Sequence, residues 1–133
     1  MNYIRTLFRC YSLAFHALFV FIAAGMAVVM LASGPHTINF FLLPWTSDAS
    51  LVYGLIALAL IGVTILLLAA RGKMRLLFLL WSLLVLGLIV RYFFFSQYTF
   101  TPQSGELRFA LLAILASAVA VIGAGLRPSA RTR

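Results

Sequence analysis

Of 133 residues, 65% are apolar and only 9% charged, with a mean hydropathy of +1.14, whereas a soluble domain is roughly half apolar and a quarter charged. Such a chain cannot cover a water-soluble globule, disorder needs the opposite composition, and a single cysteine, Cys10, excludes an internal disulfide framework. The net charge of +8 sets ten Lys and Arg against Asp48 and Glu106 alone, and its placement along the chain decides what it means.

From Cys10 to Ser47 there is no Asp, Glu, Lys or Arg, but Gly34-Pro35 breaks any helix near residue 33. About 20 apolar residues carry a helix across roughly 30 Å of hydrocarbon, so the first predicted span is 10–32. It outlasts the short apolar core of a signal peptide and is expected to be retained. Cys10, beside Arg9, reads as a small apolar residue at the membrane boundary. His16 is the one ionisable side chain well inside a span, with Ser12 one turn earlier on the same helix face. An ionisable group at that depth is a candidate functional residue.

An outer interfacial loop is expected over 33–49. Its stretch from Ile38 to Trp45 is too short to span and ends at Pro44-Trp45, so it reads as a turn of helix on the leaflet surface, anchored by Trp45. Phe40, Phe41 and Trp45 are candidate lipid or partner contacts. The second span, 50–70, is apolar on every face, as in Leu55 to Ile61. That pattern suits a helix among lipids and other helices, not the in/out alternation of a β-barrel strand.

Arg71, Lys73 and Arg75 form the next turn. The third span is charge-free only from Leu76 to Val90, and reaches 75–97 by including Arg91 and Tyr92-Phe93-Phe94-Phe95. Arg91 lies about 24 Å along that helix. There it can snorkel to the headgroups or join an outer ion-pair set with Asp48 and Glu106. Phe93, Phe94 and Phe95 lack the polar handle that places Tyr and Trp at an interface, which makes them candidate contacts for a partner or a lipid-like ligand.

The fourth span, 107–126, is alanine-rich, and Ala113, Ala116, Ala120 and Ala124 predict a close-packing stripe. Ala23, Ala24 and Ala27, and Gly54, Ala57 and Gly62, repeat the signal in the first two spans, whereas the third is leucine-rich. Spans one, two and four are therefore expected to pack closely, leaving much of the third to lipid or a partner. A basic tail, 127–133, follows.

Arg5, Arg9, Arg71, Lys73, Arg75, Arg127, Arg131 and Arg133 fall on one side of this arrangement, and Arg91 and Arg108 on the other with both acids. The positive-inside rule makes the eight-residue side cytoplasmic. The expected fold is an all-α integral membrane protein, four transmembrane helices in a compact antiparallel bundle with short loops, both termini in the cytoplasm of a bacterial inner membrane. Charge is then a mark of sidedness, and no nucleic-acid partner is expected.

Catalytic chemistry finds little to use. No paired carboxylates, HExxH, phosphate loop or CxxC is present, so no catalytic residue, no metal site and no enzyme are expected. His16 and His36 stand about 30 Å apart along a helical path and cannot share one haem. A haem held by His16 alone or across a dimer, and a carotenoid or quinone against the Phe cluster, remain cofactor alternatives to an expectation of none. The reading that fits best is a non-catalytic small subunit that braces or completes a larger membrane complex. It would meet lipids, other membrane subunits or its own copies. The alternatives are a binder of a hydrophobic cofactor or lipid, and an oligomeric channel or carrier lined by Ser12, His16, Thr64, Ser82 and Ser117.

Overall fold

The computed structural model describes residues 2–34, 48–95 and 105–126. Four helices account for nearly all of them: α1 (Asn2–Ser33), α2 (Asp48–Ala70), α3 (Arg75–Val90) and α4 (Glu106–Gly125). No strand occurs among the described residues. Each helix, with α3 extended through a following π-helical turn, is long and apolar enough to cross a membrane. The protein is an all-α integral membrane bundle of four helices.

α1 begins well before the first charge-free residue. Its 32 residues span about 48 Å at 1.5 Å each, more than the hydrocarbon thickness. Arg5 and Arg9 are therefore helical, because a charge near a helix end keeps its head in the headgroups while its backbone stays hydrogen-bonded.

α2 ends in a left-handed cap. Gly72, at φ +74°, donates its N–H to the Ala69 carbonyl at 3.0 Å, and Lys73 reaches the Leu68 carbonyl at 3.0 Å, the bond pair of a Schellman motif. Arg9 of α1 adds a third tie, its Nη2 donating to the Ala69 carbonyl at 2.8 Å. A cation is favoured at that negative helix end. Met74, also left-handed at φ +55°, completes the reversal into α3.

α3 does not stop at Arg91. The chain continues as a five-residue π-helical turn, Arg91–Phe95. Phe93 turns inward there and meets Phe109 of α4 edge-on, with centroids 6.4 Å apart.

α1 is the hub, packing along both α2 and α4. Ala23, Ala27 and Met30 bury against Val52 and Leu55 of α2. A second core joins Val20, Ile65, Phe78, Trp81, Val85, Ile89 and Phe93 with Ala110 and Ala124. The expectation for the third span is corrected here: α3 packs against α4 nearly as extensively as α1 does, whereas α2 and α4 scarcely meet. Phe78, Trp81, Ser82, Val85, Ile89 and Phe93 form one buried stripe on α3 and its extension. Large side chains need no small residues of their own when the facing helix supplies them, as α4 does with Ala110 and Ala124.

Two glycines fix how near the helices come. A Cβ on Gly123 would collide with the Phe8 carbonyl oxygen and lie 2.9 Å from Ser12 Cβ. One on Gly62 would meet Val20 Cγ2 at 2.5 Å and Trp81 Cζ2 at 2.8 Å. Only Gly leaves room for these contacts.

A buried histidine–serine cluster as candidate functional site

Polar side chains within the apolar spans gather at the junction of α1, α3 and α4. Ser12 and His16 lie one turn apart on α1, Ser82 comes from α3 and Ser117 from α4, and all four are 0% exposed. In hydrocarbon an unpaired polar group is costly, so their partners matter.

Ser12 Oγ donates to the Ala120 carbonyl at 2.7 Å. One residue away, Tyr11 Oη reaches the Ala116 carbonyl at 3.1 Å. Both bonds land on the alanine stripe, because small side chains leave the backbone within reach of hydroxyls from the neighbouring helix. His16 Nδ1 lies 2.7 Å from the Ser12 carbonyl, which can only accept, so Nδ1 carries a proton. In the neutral ring Nε2 then holds a lone pair, and Ser82 Oγ–H donates to it across 3.0 Å. The tautomer follows from these partners. The Phe15 and Phe78 rings meet the imidazole edge-on at 5.5 and 5.2 Å.

The chain of bonds Ser82–His16–Ser12–Ala120 thus ties three helices together. Among the described residues, the buried Ser117 hydroxyl and the Trp81 indole N–H have no hydrogen-bond partner.

Of the five polar residues named from sequence as lining a path, four converge here. Thr64 does not: it is exposed on α2, its hydroxyl turned back to the Leu60 carbonyl at 2.9 Å. The Ser12–His16 relation is readable from their four-residue spacing. The Ser82 partner is not, because the register between α1 and α3 is set by packing. The available signal was that each hydroxyl in an apolar span needs an acceptor, and few exist.

The remaining candidates are dispersed. Ala120 and Ala124 are buried, and Ala113 and Ala116 half-buried. Of the three phenylalanines, Phe93 belongs to the core at 9% exposure, while Phe94 and Phe95 face outward. Arg91 is exposed where the π-helical turn begins, and Glu106 opens α4 at the same end of the bundle. The Asp48 side chain lies outside the described residues, as do His36, Phe40, Phe41, Trp45 and the tail 127–133. No group of three or more His, Cys, Asp or Glu suited to a metal ion occurs among the described residues.

No family model matches the chain, and neither a curated protein nor a solved structure matches it.

Proposed function

We propose that the chain is a small non-catalytic membrane subunit that braces or completes a larger membrane complex, anchored in a bacterial inner membrane with both termini cytoplasmic. The observation that carries this reading is how the internal polar groups are used. Both nitrogens of His16 and the hydroxyls of Ser12 and Ser82 are engaged in holding helices together. Many large apolar side chains of the spans, by contrast, face outward, and each span buries only 28–33% of its most apolar stretch inside the bundle. Outward aromatic side chains such as Tyr53, Phe95 and Phe109, between 68% and 76% exposed, offer large contact area to a neighbouring membrane protein. The gathering of Arg5, Arg9, Arg71, Lys73 and Arg75 toward one end supports the cytoplasmic assignment of that end.

Tagged protein isolated from its native membranes in mild detergent tests this directly. A membrane partner at fixed stoichiometry is the expected result; recovery of the chain alone, under conditions that preserve other membrane complexes, contradicts it.

A second reading, an oligomeric channel or carrier, draws on the convergence of Ser12, His16, Ser82 and Ser117 and on the unpaired Ser117 hydroxyl. It is the weaker one because all four side chains are sealed from the surface. Solute flux into vesicles carrying the protein, abolished by His16→Ala, would favour it.

A further inference from the structure

We propose that the basic end of the bundle carries a site for the phosphate of an anionic phospholipid. One pocket there is lined by Arg9 of α1, Lys73 of the α2–α3 turn and Arg75 of α3, with Phe78, Gly123 and Leu126 among its apolar walls. Three cations from two stretches of chain, Arg9 on one and Lys73 with Arg75 on the other, line it, and no acid does. The two acidic residues of the chain, Asp48 and Glu106, begin α2 and α4 at the opposite end. Among the described residues no carboxylate side chain lines the pocket, so the cluster is suited to an anion from outside.

Arg9 is already oriented for the task. Its Nη2 bond to the Ala69 carbonyl fixes the guanidinium plane and leaves other N–H donors of the fork for a second acceptor. The α3 N-terminus adds to the field: Met74 provides no side-chain cap, and the first N–H groups of a helix lack intrahelical acceptors.

Depth and wall chemistry select a lipid over a free anion. Ala69 is the penultimate residue of α2, so the pocket sits where the hydrocarbon gives way to headgroups, the level of lipid phosphates. Its walls combine cations with Phe78 and Leu126, matching a phosphodiester whose glycerol and acyl chains continue into the apolar layer. Basic pockets between transmembrane helices bind anionic headgroups in this way.

The test uses the full chain in nanodiscs and in native mass spectrometry at about 0.3 M salt, where diffuse surface attraction is strongly screened. Phosphatidylglycerol is the probe, phosphatidylcholine the zwitterionic control, and inorganic phosphate the free-anion competitor. One phosphatidylglycerol per chain should be retained in preference to phosphatidylcholine. Lys73→Gln and Arg75→Gln should each weaken retention about tenfold, as loss of a charge-assisted phosphate bond implies. Arg5→Gln, the same charge change outside the pocket, should leave it nearly unaltered. Arg9→Gln also removes the tie to α2, so it is read only with its melting temperature; Lys73→Gln and Arg75→Gln decide the matter. Equal loss on Arg5→Gln means diffuse attraction and overturns the site. Equal retention of phosphatidylcholine overturns its anionic selectivity, and displacement by millimolar inorganic phosphate overturns the lipid assignment.

Discussion

His16 shows how a polar residue can serve an apolar bundle. Its imidazole donates to the Ser12 carbonyl and accepts from Ser82, so one side chain reaches from α1 to α3 without leaving a lone pair or proton unmatched. Interhelical hydrogen bonds within membranes are worth about 0.6–2 kcal/mol, modest singly but specific in register. A double-mutant cycle of His16→Ala and Ser82→Ala, read by unfolding in detergent, should give a coupling energy in that range. Ser12→Ala should destabilise by a similar amount, because the Ala120 carbonyl bond is lost with it. Additive effects of His16→Ala and Ser82→Ala would mean that the two do not interact. The residue scale was half legible in the sequence. A four-residue spacing puts Ser12 and His16 on one face, but nothing in the leucine-rich third span singles out Ser82 as the partner.

At the scale of elements, the seam between α1 and α4 depends on backbones in near contact. Gly123 lies so close to Phe8 that any side chain must push the helices apart. Gly25, on the same α1, has open space where its Cβ would stand. Gly123→Leu should therefore cost about 1–3 kcal/mol, the range for overpacking a filled core, and Gly25→Leu should leave the melting temperature in detergent nearly unchanged. A Gly123→Leu protein as stable as the parent would show that the seam is not closely packed.

The helices themselves were readable because charge-free runs of sufficient length have few alternatives in a bilayer. Boundaries were less so: charges mark where apolar residues stop, not where the backbone stops being helical, and α1 accordingly extends through Arg5 and Arg9. The contact between α3 and α4 is not legible in the sequence of α3, because the small residues that permit it belong to α4, whereas a leucine-rich span carries no mark of which face is buried.

The whole molecule is polarised along its axis. Arg5, Arg9, Arg71, Lys73 and Arg75 share one end, where Arg9 ties α1 to α2. Both acids and the aromatic turn Tyr92–Phe95 belong to the other. Between them the polar groups turn inward and the apolar surface outward. A bundle whose inward His16, Ser12 and Ser82 are spent on ties between helices has its unspent surface outside, and that surface is what a partner subunit would cover. Photo-crosslinking in intact native membranes tests this without detergent. A photoreactive residue placed singly at Tyr53, Phe95 or Phe109 should yield, from at least one of the three, a discrete adduct with one membrane protein, while the same probe at fully buried Val85 should yield only intramolecular links. Adducts to lipid alone from all three outward positions would contradict a subunit role.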